Sequence, residues 1–308
     1  MSDSDTERPG LVVASHGRHC LVESPDASRI LCHAKGKKNE TVVGDRVQWR
    51  PTGDEGVIAR VQERRNLFYR QDEIRTKSFA ANLDQVLVLI AAEPEFSELQ
   101  LARALIAAEA ERIAPLIALN KSDLVEPFER AWARLLPYQH VGYGVLPLSL
   151  RQSGEVDRAH LLQHLQGKTT LVLGPSGAGK STLINLLAPQ AQALTGEISQ
   201  ALNSGKHTTT ATTLYWVDAE RKTAIIDSPG FQEFGLHHIA KAQLAGLMPD
   251  LNPHVAECKF YNCTHMHEPG CGVIAAVNDQ AGAPAGRIEP NRYRIYRTLF
   301  EELSLPRY

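Results

Sequence analysis

The first part of the chain alternates short apolar runs with polar turns. Five runs rich in β-branched and aliphatic residues fall at 11–13, 19–22, 29–32, 45–49 and 56–61. Several short strands at such close spacing are typical of a small closed sheet. We therefore expect a five-stranded, OB-like β-barrel over residues 10–78, preceded by a disordered polar leader at residues 1–9.

The pattern changes near Ala80, where continuous apolar runs begin to alternate with helical periodicity. Residues 86–91 are apolar throughout, as a strand covered on both faces of a parallel sheet must be. Further strand-like runs fall at 116–119, 145–148, 170–173 and 223–226, and helical patterns at 99–113, 128–136, 157–165 and 179–187. This alternation predicts a doubly wound α/β domain over residues 79–235.

The last part of the chain, residues 236–308, has no clear strand pattern. Its apolar positions fit helices gathered around a cluster of cysteines and histidines. We expect a separate helical domain there, with a flexible linker at residues 281–286.

Composition limits where the protein can work. The chain has 308 residues, of which 43% are hydrophobic, enough to bury cores in two or three domains. Its longest apolar run, 86–92, is far shorter than the roughly 18–20 residues of a membrane span, and its N-terminus lacks the basic and apolar segments of a signal peptide. We expect a cytoplasmic protein, and nothing in the pattern requires more than a monomer.

The overall charge gives little indication of a partner. The net charge is −2, but residues 29–77 contain twelve Lys and Arg against seven Asp and Glu. A local surplus of this kind favours a polyanion such as RNA. An ordinary solvated barrel surface explains it equally well.

A phosphate-binding loop follows the run at 170–173. The segment fits G-x-x-x-x-G-K-[ST] between a strand and an apolar helix, which is the context that this motif requires. Backbone N–H groups of such a loop cradle phosphates, the lysine reaches the β- and γ-phosphates and the hydroxyl binds Mg²⁺. The expected contacts are Gly174, Pro175, Ser176, Gly177, Ala178, Gly179, Lys180, Ser181 and Thr182.

A second motif distinguishes guanine from adenine. Asn120, Lys121, Ser122 and Asp123 follow the run at 116–119, at the strand end where ligands of such sheets bind. One carboxylate can accept hydrogen bonds from both the N1–H and N2–H₂ groups of guanine, whereas adenine has no matching pair of donors. Asp123 is the expected acceptor. We expect the Asn120 amide to contact O6 or N7 of guanine and the aliphatic stem of Lys121 to pack along the base. Ser149, after the run at 145–148, opens a loop whose backbone N–H is a weaker candidate for guanine O6.

Two polar segments are candidate sensors of the γ-phosphate. Asp227 and Gly230 fit D-x-x-G after the run at 223–226, with Asp227 expected to hold Mg²⁺ through water and the Gly230 N–H to contact the phosphate. Residues 205–210 contain three threonines, of which we assign Thr209 to Mg²⁺, although Thr208 and Thr210 remain alternatives. An ordinary Thr-rich surface loop is also possible.

The residue that activates water is not the usual one. Phe231 follows Gly230 where Ras-like GTPases carry a glutamine, and a phenyl ring cannot orient water. His207 is the candidate in reach, since a neutral imidazole can orient or accept from water, although a solvated surface histidine fits the pattern as well. We assign His207, Lys180 and Asp227 to catalysis and expect slow hydrolysis that a partner accelerates.

Four candidate metal ligands lie close together near the end of the chain. Cys258, Cys263, His265 and Cys271 are spaced C-x4-C-x-H-x5-C. Three thiolates and one imidazole on a short segment are the ligand set of a closed, structural Zn²⁺ site. Buried thiols without a metal are the alternative.

With these motifs together, the chain from about Gly10 to Tyr308 resembles the family of small ribosomal subunit biogenesis GTPases called RsgA or YjeQ. The resemblance rests on the barrel, on the order NKSD, GPSGAGKS, GKHTTT and DSPG, and on the cysteine-histidine segment. It implies an OB-fold domain, a circularly permuted GTPase domain and a helical zinc domain. It also implies GTP and Mg²⁺ as ligands, the small (30S) ribosomal subunit and its rRNA as partners in late maturation, and a hydrolytic role for His207. The Ser149-Leu150 pair departs from the usual Ser-Ala.

Two other functional hypotheses are compatible with the motifs. In a P-loop ATPase or kinase acting on a small molecule, the NKSD segment would be accidental. In an RNA-binding scaffold, the nucleotide would be a structural ligand only. The intact set of Lys180, Ser181 and Asp227 argues against the second hypothesis.

Overall fold

The computed structural model describes residues 6–16, 19–34, 41–73, 75–191, 212–229, 231, 234–279 and 286–305. The strands in these residues are β1 (Arg8–His16), β2 (His19–Glu23), β3 (Arg29–Ala34), β4 (Arg46–Thr52), β5 (Glu55–Val61), β6 (Leu67–Gln71), β7 (Thr76–Ala81), β8 (Gln85–Ala91), β9 (Ala114–Asn120), β10 (Gly144–Pro147), β11 (Thr169–Leu173), β12 (Thr212–Trp216) and β13 (Ala224–Asp227). The α-helices are α1 (Glu98–Ala110), α2 (Val125–His140), α3 (Gly154–Leu165), α4 (Lys180–Leu187), α5 (Asn252–Val255), α6 (Gly272–Asn278) and α7 (Pro290–Ser304). None of these helices is long and apolar enough to cross a membrane.

The first five strands close into a barrel in the order β1-β2-β3-β5-β4, with β4 returning to β1. The β3–β5 pair is parallel, and the other four pairs are antiparallel. Side chains that alternate inward along the strands fill the interior, among them Val12, Val22, Val47, Trp49 and Ile58. The predicted five-stranded barrel is confirmed.

A mainly parallel sheet follows, in the order β10-β9-β8-β11-β13-β12. Helices cover both faces: Leu101 of α1 and Leu135 of α2 are in one buried cluster, and Leu161 of α3 and Leu183 of α4 in another. The predicted α/β domain is confirmed. At the start of α1, Ser97 Oγ accepts from the Gln100 N–H at 3.3 Å and so caps the helix.

One strand of this sheet, β12, was not predicted from the sequence. It runs antiparallel to β13 and pairs on its other side with β1, where Ala14 lies opposite Thr213. The barrel and the α/β domain therefore share one continuous sheet of eleven strands.

A hairpin of β6 and β7, also not predicted, forms its own two-stranded sheet between the barrel and β8. Its Phe68 and Phe79 pack with Phe234, each ring centroid lying 5.6–5.8 Å from the next. β7 runs to Ala81 and so passes through residue 78, the expected end of the first domain. The hairpin thus packs on the chain that follows β13.

The C-terminal part is helical, as predicted, with 3-10 turns at Lys241–Gln243 and Ala245–Leu247 before α5. The long helix α7 contacts α1 of the α/β domain. Arg292 of α7 pairs with Asp250 through two hydrogen bonds of 2.8 and 2.9 Å and lies 4.6 Å from the ring centre of Tyr138. Of the predicted linker at 281–286, residues 281–285 lie outside the described residues.

Candidate nucleotide site and metal cluster

Two adjoining cavities open at the carboxyl ends of β9, β10 and β11. The smaller, of about 280 Å³, is lined by Asn120, Lys121, Asp123, Leu124, Leu150, Arg151, Gly177, Gly179 and Thr182. The larger, of about 440 Å³, is lined by Arg151, Gly174, Pro175, Ser176, Gly177, Gly179, Lys180, Ser181 and Thr182. The two share Arg151, Gly177, Gly179 and Thr182, so the structure brings the predicted base-reading and phosphate-binding motifs to one continuous site.

The phosphate loop takes its shape from where β11 ends and α4 begins. Gly179 caps α4 with a φ of 102°, a left-handed conformation that a residue with a side chain rarely adopts. A Cβ atom at Gly179 would lie 2.4 Å from Asn120 Nδ2, so glycine is required on steric grounds too. The N-terminus of α4, which carries Lys180, faces the larger cavity, where its N–H groups and partial charge favour an anion.

The Asn120 amide is hydrogen-bonded to two neighbouring loops. The residue is buried at the end of β9, its Nδ2 donates to the Ala178 carbonyl at 2.8 Å, and its Oδ1 accepts from the Leu150 N–H at 3.2 Å. One amide therefore ties three loops together. Neighbouring Lys121 has a φ of 70° and donates from Nζ to the Glu93 carbonyl, while the Ser122 N–H donates to the Leu148 carbonyl at 2.9 Å.

The Asp123 carboxylate lines the smaller cavity and is oriented by a neighbouring loop. Ser149 Oγ donates to Asp123 Oδ1 at 2.7 Å, and the Ser149 N–H donates to Asp157 Oδ2 at 2.7 Å. Burial raises the pKa of Asp157, and the Ser149 N–H opposes that rise. The N–H groups of Ser149 and Leu150 are both bonded within the protein, and the Ser149 hydroxyl orients Asp123. A contact between a backbone N–H of this loop and guanine O6 stays a prediction.

Lys180 and Asp227 form an ion pair between the start of α4 and the end of β13. Both side chains are partly accessible. Next to Asp227, the buried Ser228 hydroxyl lies 3.2 Å from the Thr212 hydroxyl. The two residues assigned to phosphate and Mg²⁺ thus meet in the structure.

The other predicted catalytic and switch residues are only partly within the described structure. Phe231 is 5% exposed and packs against Phe234, so its side chain belongs to the core. His207, Thr208, Thr209, Thr210 and Gly230 lie outside the described residues.

Arg151 is a residue of both cavities that the sequence analysis missed. It is exposed and lies two positions after Ser149 in the loop that follows β10. Its place in the same loop as Ser149 could have indicated that it lies near the base, although no motif has a fixed spacing that includes it.

The predicted metal ligands converge on one point. One ligand atom from each of Cys258, Cys263, His265 and Cys271 lies within 4.8 Å of all the others. His265 Nδ1 is 3.4 Å from the sulfurs of Cys258 and Cys271, which are 3.9 Å apart. With metal–sulfur bonds of about 2.3 Å, the edge of a tetrahedron is roughly 3.8 Å. These residues therefore fit a tetrahedral metal site.

Hydrogen bonds from α7 and from one carboxylate hold this segment in place. Tyr293 and Tyr296 of α7 donate to the carbonyls of His265 and Thr264 at 2.7 and 2.8 Å. Glu268 accepts from the N–H groups of Thr264 and Met266 at 2.8 and 3.1 Å. The cluster is thus built into the C-terminal helical region.

Comparisons with known proteins agree with this geometry. A model of the RsgA GTPase family matches residues 61–237. Two proteins named small ribosomal subunit biogenesis GTPase RsgA are similar over nearly the whole chain. That of Variovorax paradoxus is 73% identical and the alignment covers 97% of this chain and 93% of the relative, and that of Paraburkholderia phytofirmans is 51% identical with 98% and 95% covered.

Two solved structures have the same architecture. YloQ, described as a circularly permuted GTPase, superposes with a TM-score of 0.72 at 28% identity, covering 99% of this chain and 98% of YloQ. YjeQ from Thermotoga maritima gives a TM-score of 0.72 at 28% identity, covering 98% and 100%. The matched family model spans more than half of the sequence. The chain belongs to the RsgA GTPase family, and it is a circularly permuted GTP hydrolase.

Proposed function

We propose that this GTPase binds the small ribosomal subunit, assists its late maturation, and hydrolyses GTP faster when the subunit is bound. The observation that carries the proposal is the burial of Phe231 beside an otherwise well-formed nucleotide site. A site with phosphate and base contacts but no water-orienting side chain after D-x-x-G needs a water-orienting group from another segment, brought into place by a partner. The relatives named after small-subunit biogenesis indicate which partner does this.

Guanine would occupy the smaller cavity. Asp123, oriented by Ser149, would accept the two donors on one edge of the base, and the Lys121 stem would pack along its plane. Asn120 would hold the surrounding loops and offer its second N–H to the base. Adenine would leave the Asp123 carboxylate without donors, which disfavours ATP.

The triphosphate would extend along the larger cavity. Backbone N–H groups of residues 174–182 would bind the α- and β-phosphates, and Lys180 would reach the β- and γ-phosphates. Hydroxyl and carboxylate oxygens suit Mg²⁺, so Ser181, Asp227 and Thr209 would hold it, and the ion would neutralise charge on the phosphates. The Gly230 N–H would contact the γ-phosphate.

In the reaction, water attacks the γ-phosphorus and the bond to the β–γ bridging oxygen breaks. GDP leaves with that oxygen, and inorganic phosphate takes the oxygen of water. His207 would orient the water or accept its proton when the subunit is bound. Lys180 would stabilise charge that develops on the leaving GDP.

The remaining parts would contact the subunit. We assign residues 10–78 to an rRNA-binding OB domain, 79–235 to the GTPase domain and 236–308 to a helical domain around one structural Zn²⁺. Three thiolates and one imidazole at tetrahedral distances favour Zn²⁺ over Mg²⁺ or Ca²⁺. The protein would act as a monomer in the cytoplasm, where its partner is assembled.

The test is multiple-turnover GTP hydrolysis by the purified protein with and without purified small subunits, with Lys180→Ala as the inactive control. We expect slow turnover alone and a rise of at least tenfold with subunits. ATP should neither be hydrolysed nor displace a fluorescent GDP analogue. Stimulation by large subunits alone, or equal use of ATP, would contradict the proposal. Equal affinity for subunits with GDP and with a non-hydrolysable GTP analogue would refute coupling of hydrolysis to release.

A further inference from the structure

The β6–β7 hairpin holds the chain after Asp227 at two places. Lys77 Nζ donates to the Pro229 carbonyl at 2.7 Å. Farther along, the Gln71 N–H donates to the Gly235 carbonyl at 3.1 Å and the His237 N–H donates to the Gln71 carbonyl at 2.9 Å. Between the two attachments, Phe231 and Phe234 are buried. The hairpin therefore fastens both ends of the segment that follows the D-x-x-G aspartate.

The first attachment is a single charged side chain in a partly buried place. Lys77 lies opposite Arg70 in the hairpin, and its ammonium is 5.2 Å from the ring centre of Phe79. Burial, and to a lesser extent the charge of Arg70, lower the pKa of Lys77. An ammonium that has lost part of its water is stabilised by a carbonyl acceptor. Losing the Pro229 carbonyl would leave this partly desolvated ammonium without that acceptor, which costs more than losing a solvated surface contact.

The carbonyl of Pro229 is an informative acceptor because of its place in the chain. A peptide unit is planar, and in the trans form its C=O and N–H point in opposite directions. A group that fixes the Pro229 carbonyl fixes the direction of the N–H in the same peptide unit. Under the proposed function, that N–H contacts the γ-phosphate.

We propose that Lys77 is a positioning residue for GTP hydrolysis, holding the Pro229 carbonyl so that the sensing peptide recognises the γ-phosphate. The inference rests on the proposed function for the role of the D-x-x-G segment. Lys77 lies on the hairpin that follows the barrel, 152 positions from Pro229. A shift of the hairpin would therefore change the orientation of this peptide through the hydrogen bond between Lys77 and Pro229.

The test uses the full-length protein without subunits, so that its outcome does not depend on the partner. The variants are Lys77→Met, which keeps the apolar stem, Lys77→Arg, which keeps the charge, and Arg75→Met, which removes a charge from an exposed position of the same hairpin. Affinities for labelled GDP and a labelled non-hydrolysable GTP analogue are measured, with the single-turnover rate of GTP hydrolysis.

We expect Lys77→Met to bind GDP within about twofold of the unmodified protein and to lose about tenfold in both analogue affinity and single-turnover rate, the effect of one charge-assisted hydrogen bond. Lys77→Arg should recover part of both, and Arg75→Met should change neither. An unchanged ratio of analogue to GDP affinity, or an equal loss of both affinities, would overturn the proposal. If Lys77→Met does not fold, Lys77→Gln is judged by the same ratio. Failure of subunit stimulation in the unmodified protein would instead count against the proposed function.

Discussion

The ammonium of Lys180 and the carboxylate of Asp227 pair directly, joining the start of α4 to the end of β13. Each has a separate task in the proposed mechanism, since one binds phosphate and the other binds Mg²⁺ through water. Binding of the Mg²⁺ complex of GTP must therefore exchange this ion pair for contacts to the ligand. Loss of Asp227 would free Lys180 for phosphate while removing the Mg²⁺ contact.

Asp227→Asn should accordingly separate binding from hydrolysis. We expect GDP affinity to stay the same or rise, because Lys180 no longer has a competing carboxylate. Hydrolysis should fall by roughly a hundredfold or more, since a misplaced metal loses several kcal/mol of transition-state stabilisation. Fluorescent GDP binding and single-turnover hydrolysis measure the two effects. An equal fall in GDP affinity and in hydrolysis rate would show that the ion pair is needed to keep the site folded, and that it does not compete with phosphate for Lys180.

The Ser149 hydroxyl gives a second, smaller effect on guanine recognition. Ser149→Ala removes the hydrogen bond that orients Asp123 and leaves the Ser149 N–H on Asp157. We expect GDP affinity to fall by about tenfold, with Asp123→Asn falling further because its amide repels one guanine donor. Titration with labelled GDP measures this. Ser153→Ala is the matched control, since Ser153 is an exposed serine of the same loop and lines neither of the two cavities. Wild-type affinity in Ser149→Ala would mean that Asp123 needs no orientation.

The motifs were predictable because each depends on a short stretch of chain. The phosphate loop needs only β11, the glycines and α4, and the NKSD segment needs only the end of β9, so their sequence contexts contain the information. Asn120 shows the limit of this reasoning. Its bonds go to Ala178 and Leu150, 58 and 30 positions away, and no local pattern reveals such partners.

The joining of the domains was not predictable for the same reason. The run Thr212–Trp216 has the β-branched and aromatic residues of a strand, but its pairing with β1 spans about two hundred residues. The turn of the β6–β7 hairpin is a local feature, since two hydrogen bonds join Asp72 and Arg75. Its contact with Pro229 depends on the fold as a whole.

His207 should matter only for the stimulated reaction. We expect His207→Ala to leave GDP affinity unchanged and to reduce subunit-stimulated turnover by roughly a hundredfold, the contribution of a positioned general base or water-orienting group. Turnover with and without small subunits is the measurement. Unchanged stimulated turnover would assign the water-orienting role to another group.

Phe231→Gln tests the complementary point that position 231 serves the core. Glutamine is the residue that orients water in Ras-like enzymes, yet here it would place an amide among Phe234 and its neighbours. We expect no gain in intrinsic hydrolysis and a loss of about 2–4 kcal/mol in the free energy of unfolding. Turnover without subunits measures the first effect, and urea unfolding measures the second. A faster intrinsic reaction would show that the side chain reaches the nucleotide.

The cysteine-histidine cluster should hold one metal ion per chain. We expect one equivalent of zinc by elemental analysis, and its loss in Cys263→Ser together with a lower thermal midpoint, since metal-binding energy contributes to folding. Cys20→Ala removes a buried thiol from the barrel and should retain the metal. Removing the metal from the unmodified protein with a chelator should lower its thermal midpoint in the same way. Full zinc content in Cys263→Ser would remove Cys263 from the ligand set.

Two arginine pairs join α7 to other elements, and they should differ in how much they contribute to stability. Asp250, the partner of Arg292, is 3% exposed in its side chain, whereas Glu302, the partner of Arg103, is 29% exposed. Removing Arg292 leaves a buried carboxylate without a counter-charge, while removing Arg103 leaves one that water can reach.

Arg292→Met should therefore lower the free energy of unfolding by about 3–5 kcal/mol, and Arg103→Met by less, because water can solvate the remaining carboxylate. Urea unfolding followed by fluorescence measures both. The double variant Arg292→Met with Asp250→Leu should recover part of the loss, because it removes the uncompensated charge while keeping apolar volume next to Tyr138. If the double variant is no more stable than Arg292→Met, then the lost contact of the guanidinium with the Tyr138 ring, and not the buried charge, dominates.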